Sequence, residues 1–241
     1  MNNNRWASFP RWIGETLTEF TAGKDAGAHM AALRVYLAIA LESDFDTRIA
    51  TISWSALEKS TGLSRPMVKK GIVTAEKAGL IAVDKSGHTH SYRQLAQTDE
   101  IAFTQVPFFD LKSALPKLPT RGFHALDALK VYLTLLTVRL RNSELAVISH
   151  KKIQIRSGIQ PGRIRAAIDV LINHRLIHVI TVDAMETGSH RHNEYHLIGF
   201  KTAQPTPPSS SAAQVIATPP VAVRPNPSFL LLPSRHDDLP F

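Results

Sequence analysis

The 241-residue sequence predicts an α+β fold, mainly helical, built from two tandem units of about a hundred residues each and a tail that does not fold. Three observations carry this. Ala50 to Val83 recurs without a gap as Ala146 to Val179, at a shift of ninety-six residues. Within each copy, segments of helical period give way to short β-branched runs. From Thr202 onward, periodicity yields to proline, serine and alanine.

The match lies in the apolar skeleton: Ile52 over Ile148, Leu57 over Ile153, Gly62 over Gly158, Val68 over Ile164, Ile72 over Ile168, Leu80 over Leu176. In the first copy Leu57 anchors a short helix, which Thr61-Gly62 ends because glycine adopts a positive φ cheaply. Ser64 stands at the N-cap of a second helix, with Pro66 in its first turn, where proline removes no helical bond. Val68, Ile72 and Ala75 form its buried stripe, and Arg65, Lys69 and Lys70 face away. A helix-turn-helix with a basic open face can enter a DNA major groove. In the second copy Gln160-Pro161-Gly162 opens the corresponding helix, with Arg163 and Arg165 near its start and Lys151, Lys152 and Arg156 on the helix before it. Arginine's planar fork suits guanine edges as well as phosphates.

The remaining elements follow in order. Trp6 to Trp12 and Phe103 to Phe109 are aromatic lead-ins related by a shift of ninety-seven, expected to close the core or pack the two units together. Stacking of Trp6 and Trp12 on unpaired bases is the sharper alternative. Met30 to Glu42 and Leu126 to Leu140 have helical period. Thr47 to Ile52 and Leu145 to Ile148 read as short strands, and Leu80 to Val83 with Tyr92 to Leu95, and Leu176 to Val182 with Tyr195 to Ile198, as two hairpins. The hairpin tips hold Lys85 and His88 in the first unit and His190 and Arg191 in the second, the residue types that lie along a phosphate backbone. His88 and His90, like His190 and His192, stand at i and i+2, but no carboxylate or thiol accompanies them at ligand spacing, so no metal and no cofactor is expected.

The run from Gly62-Leu63-Ser64-Arg65 through Val68-Lys69-Lys70 to Glu76-Lys77-Ala78-Gly79-Leu80-Ile81 resembles the winged-helix pattern of many bacterial DNA-binding proteins. Ala32-Leu33-Arg34-Val35-Tyr36-Leu37 and Ala128-Leu129-Lys130-Val131-Tyr132-Leu133 resemble the first helix of winged-helix modules in plasmid and phage replication initiators. The resemblance covers roughly residues 5 to 200. It implies that the two units, residues 1–98 and 99–200, each long enough for its own core, are tandem winged helix-turn-helix domains that bind origin DNA. The second wing is longer, so the two domains are expected to contact DNA unequally.

The formal charge is +8, and the last forty-one residues contribute only one of it, from three basic and two acidic groups. The excess belongs to the folded part and implies a polyanionic partner. Without an apolar run of transmembrane length, that partner is expected to be duplex, origin or forked DNA rather than a membrane. The absence of cysteine excludes disulfides, zinc fingers and thiol catalysis. No phosphate-binding Gly-Lys-Ser/Thr loop and no nucleophile-and-base pair is evident, so no enzymatic activity is expected. The opening residues lack the apolar stretch of a signal peptide, which suggests the bacterial cytoplasm.

Residues 201–233 read as a disordered Pro/Ser/Ala linker and 234–241 as a docking tip. Asp237-Asp238-Leu239-Pro240-Phe241 is similar to the ending of bacterial single-stranded-DNA-binding proteins. The resemblance implies docking of host replication or repair enzymes that recognise such tails, with Phe241 filling an apolar pocket and Asp237 and Asp238 facing a basic rim. The combined expectation is a replication initiation protein, or initiation accessory, of a plasmid, phage or integrative and conjugative element. A homodimer is compatible with it. A winged-helix transcriptional repressor and a replication-restart adaptor without sequence-specific duplex binding are the alternatives.

Overall fold

The computed structural model describes residues 6–95, 103–141, 143–182 and 192–200. All fall within one unit, Met1–Ala203. Strand β1 (Trp6–Pro10), helix α1 (Ile13–Thr16) and a 3-10 turn (Leu17–Glu19) lead into α2 (Ala26–Glu42), β2 (Ile49–Thr51), α3 (Trp54–Thr61), α4 (Arg65–Lys77), β3 (Ile81–Asp84) and β4 (Ser91–Gln94). The order then repeats as β5 (Phe103–Pro107), α5 (Phe108–Ala114), a 3-10 turn (Leu115–Lys117), α6 (Phe123–Val138), β6 (Leu145–Val147), α7 (His150–Ser157), α8 (Pro161–Asn173), β7 (Ile177–Val182) and β8 (His192–Leu197). The class is α+β, mainly helical, as the sequence predicts.

Each tight turn is built twice by the same chemistry. Gly62 and Gly158 hold φ of 67° and 65°, and their N–H groups close the preceding helix onto Glu58 and Gln154. Thr61 donates its hydroxyl to the Leu57 carbonyl at 2.6 Å and accepts from the Leu63 N–H at 3.3 Å; Ser157, its repeat counterpart, does the same with Ile153 and Ile159. These side chains fix the angle at which the second helix leaves the turn. Beyond it, β4 pairs with both β2 and β3, and β8 with both β6 and β7, all antiparallel.

Helices α2 and α6 are buried almost all round and pack on each other at the centre, as all-apolar helices must. The four tyrosines repeat too: Tyr36 matches Tyr132, and Tyr92 beside Ala50 matches Tyr195 beside Ala146, all fully buried.

The lead-ins form strands, which the sequence reading did not foresee. β1 pairs with β5 antiparallel, and Ser8 stands opposite Gln105, its own repeat counterpart. When a strand pairs with its own copy about equivalent residues, a local two-fold axis passes between them. The rest of each lead-in is exchanged: α1 and its 3-10 turn pack on α6 and α7, while α5 and its turn pack on α2 and α3.

Two buried cations fasten the exchange. Arg34 on α2 donates to the Thr61 carbonyl at 3.1 Å and to the Pro119 carbonyl, in the other half, at 2.8 Å. Lys130, its counterpart on α6, donates to the Phe20 carbonyl at 2.8 Å. The expectation of one core per unit is therefore corrected. One buried cluster runs through both halves, because each half covers its central helix and its turn with the other's lead-in. The boundary at residue 98 marks the repeat in sequence, and it falls outside the described residues.

Candidate nucleic-acid interface

Helices α3 and α7 begin at Ser53 and Ser149, whose hydroxyls accept the N–H groups of Ala56 and Lys152 at 3.2 and 3.3 Å. The next helices begin differently. Ser64 and Gln160 occupy the N-caps of α4 and α8 in extended conformation, but neither side chain bonds to the first turn. The capping bond expected of Ser64 is thus not made. The first turns of α4 and α8 are left without a side-chain cap, and such N–H groups suit an anion.

In the first half the open face of α4 carries the predicted residues. Arg65, Lys69 and Lys70 are exposed, and Arg65 lies 5.8 Å over the ring of Trp54 at the start of α3. Trp54 meets His90 of the hairpin edge-on, with centroids 5.8 Å apart. Two aromatic contacts thus join the start of α4 to the hairpin, whose turn holds exposed Lys85 and His88. Asp25, His29, Lys69, Lys70, Val73 and Lys77 border a groove of about 520 Å³ along this face. Its backing is close-packed: a Cβ at Gly71 would stand 2.7 Å from the Ala31 carbonyl oxygen, so only glycine lets α4 approach α2 this closely.

The second half differs. Lys151, Lys152 and Arg156 are exposed on α7, as is Arg165 on α8. Arg163 is not open. Its Nε donates to Asp127 Oδ2 at 2.7 Å, a second guanidinium nitrogen pairs with the same oxygen, and the group lies 4.2 Å over Phe123. Burial pushes the Asp127 carboxyl up, opposed by the bond from Arg163 and by the nearby Lys130 and His124. Arg163, expected from sequence to face DNA, therefore neutralises a buried carboxylate instead, and of the two arginines only Arg165 is exposed. His150, in the place of Trp54, comes within 3.4 Å of Asn193 on β8. His190 and Arg191, and the run Asp237, Asp238, Leu239, Pro240 and Phe241, lie outside the described residues.

Trp12, one of two candidates for base stacking, is buried in the core, whereas Trp6 is half-exposed and stacks on Phe200 at 5.1 Å. Among the described residues no three of His, Cys, Asp and Glu gather as metal ligands. Among the same residues no helix is long and apolar enough to cross a membrane.

Sequence reasoning missed Trp54, which links helix to hairpin, and Gly71. It also missed Arg48, whose backbone holds a φ of 60° and whose guanidinium lies between Phe45 and Phe103. A positive φ in a non-glycine residue leaves no local signature. No protein-family model matches the chain, and no curated protein matches it either.

Proposed function

We propose that this chain is a DNA-binding replication initiation protein, or initiation accessory, of a mobile genetic element. Its halves act as two winged helix-turn-helix modules, with α4 and α8 as recognition helices and the hairpins as wings. The observation that supports this best is the doubled arrangement itself: in both halves a helix follows a tight turn, lacks a side-chain cap and lies beside a hairpin, with exposed Arg65, Lys69 and Lys70 on the first and exposed Arg165, next to the cations of α7, on the second. The net charge of +8 agrees with a polyanionic partner. In this reading the run Asp237 to Phe241 docks a host replication enzyme, and the linker before it raises that enzyme's local concentration at the bound DNA.

The test is duplex selection from a random library, followed by titration of the selected site at several salt concentrations. Replacing Lys69 and Lys70 with alanine is expected to weaken binding and to lower the salt slope by about 0.9 for each phosphate that is no longer neutralised. Arg165→Ala is expected to cost about 1–3 kcal/mol and to relax the preference at one base position. Arg163→Ala serves as the contrast, since it should act on stability rather than on base preference. If selection yields no preferred duplex and Lys69, Lys70 and Arg165 all prove neutral, the reading is wrong. For the tail, a peptide ending Asp-Asp-Ile-Pro-Phe should displace the chain from its host enzyme.

A further inference from the structure

The outward face of the β1–β5 pair forms one wall of a cavity of about 720 Å³, lined by Trp6, Ser8, Arg11, Phe45, Phe103 and Arg141 among others. No part of the duplex reading uses it. Its layout follows the local two-fold axis. Trp6 and Phe103 are equivalent positions of the two strands, about 14 Å apart along the sheet, with Ser8 and Gln105 paired between them. Each carries a second aromatic ring and a guanidinium. Phe200 stacks on Trp6, with Arg139 4.1 Å over Phe200. At the other end Arg48 lies 3.5 Å over Phe103 and 4.9 Å over Phe45, and donates to the Ser8 hydroxyl.

The two ends differ in charge. Arg139 is only 6% exposed and donates to the carbonyls of Leu140 and Ser143, while its Nε has no hydrogen-bond partner among the described residues. Arg11 donates to the carbonyls of Thr137 and Arg139, at 3.2 and 3.5 Å, and so stands beside it. No carboxylate among the described residues pairs with Arg11, Arg139 or Arg141. Arg11 and Arg139, bonded among the described residues to carbonyls alone, and exposed Arg141 beside the same cavity leave a positive field there, which an anion would relieve. Around Arg48, by contrast, Asp44 and Asp46 supply negative charge, and Phe45 is 68% exposed at the rim. One end therefore suits an anion, and the other a flat, uncharged ring.

We infer that this cleft binds a short run of single-stranded nucleic acid, its phosphates against Arg11 and Arg141 and an unpaired base against Phe45. A duplex does not fit this chemistry, since its bases already stack on one another. Single strands offer both bare π-faces and phosphates, which a groove of arginines and aromatic rings accepts without regard to sequence. The site shares no side chain with α4 or α8.

The experiment uses the full chain and a fluorescein-labelled oligothymidylate of about ten nucleotides, followed by anisotropy across a salt series. Phe45→Ala and Arg141→Ala alter exposed side chains outside the core, and a thermal melt of each verifies the fold. Each is expected to weaken single-strand binding about tenfold, with Arg141→Ala also lowering the salt slope by about 0.7. Both should leave duplex affinity unchanged, whereas the Lys69 and Lys70 replacements should weaken the duplex alone. The inference is overturned if the native chain ignores the oligonucleotide, if both variants bind it as the native chain does, or if they lose duplex and single strand equally. It is also overturned if binding emerges only when Asp237 and Asp238 are both changed to Asn, an outcome that would assign the cleft to the chain's own acidic tail.

Discussion

Gly62 and Gly158 offer a matched pair that tests the exchange of lead-ins. Their φ values differ by two degrees, 67° against 65°, so replacing either with alanine incurs the same left-handed backbone strain, about 1–2 kcal/mol. The gain from a stiffer unfolded chain, about 0.4–1 kcal/mol, is shared as well. What differs is the neighbour. A Cβ on Gly158 would stand 3.3 Å from Thr18 Cα, a contact that a small shift relieves. A Cβ on Gly62 would stand 2.9 Å from Pro116 Cα and nearer still to the Pro116 carbonyl oxygen, both backbone atoms of the exchanged 3-10 turn. That turn is further tied through Pro119 to Arg34, so it cannot retreat freely. Overpacking of this kind adds about 1–3 kcal/mol. Gly158→Ala should therefore cost about 1 kcal/mol and Gly62→Ala about 2–4 kcal/mol, read as urea midpoints at unchanged m-value. Equal costs would mean that the second lead-in does not seat on the first turn, and the shared core would have to be abandoned.

Two further outcomes follow from the same architecture. Residues 1–97 and 100–241, expressed separately, should stay unfolded, yet recover native circular dichroism when mixed, because each half lacks the lead-in that covers it; independent cooperative melting of either half would contradict this. Lys130 should make stability depend on pH: burial, opposed by Asp127, holds its ammonium at about 8 in the fold against the usual 10.5 of a lysine. Its contribution is complete above 10.5 and is lost as pH falls through 8, so native stability relative to Lys130→Met should rise between those values by up to about 1.4 kcal/mol per pH unit, and a flat difference in urea midpoints would refute it.

How much of this was legible depended on how far apart the interacting residues lie. The turns were readable because Thr61-Gly62 and its repeat act within a few residues, and the hairpins because β-branched runs flank small polar tips. The β1–β5 pair was not, since Trp-Ala-Ser-Phe-Pro has no strict alternation, ends in proline, and finds its partner about a hundred residues away. A signal for the exchange was nonetheless present. Arg34 and Lys130 interrupt the same apolar run in both copies, and a cation repeated inside a buried stripe demands a polar partner from elsewhere in the chain. The misplacement of Arg163 had a signal as well: its counterpart in the first copy is Met67, which packs against the core rather than facing out. Nothing in the sequence, however, announces that Asp127 is the carboxylate it meets thirty-six positions away.

The symmetry also bears on the proposed DNA site in a way that runs against the sequence repeat. A gapless shift of ninety-six residues invites the picture of two modules side by side in the same sense, reading a direct repeat. The pairing of Ser8 with Gln105, and the reciprocal bonds from Arg34 to Pro119 and from Lys130 to Phe20, describe instead a two-fold relation. Recognition helices related by a two-fold axis meet a duplex with opposite polarity, so the matching DNA is an inverted repeat. The halves are not equal, however. The first offers Arg65, Lys69 and Lys70 along one helix, while the second ties Arg163 to Asp127 and leaves Arg165 with the cations of α7. Gly71 lets α4 sink toward α2, where the second copy has Ala167, and β7 is six residues long against four in β3. Under the proposed function, one chain built this way would fit an imperfect palindrome with dissimilar arms, and the difference between those arms would give the bound protein a direction along the DNA.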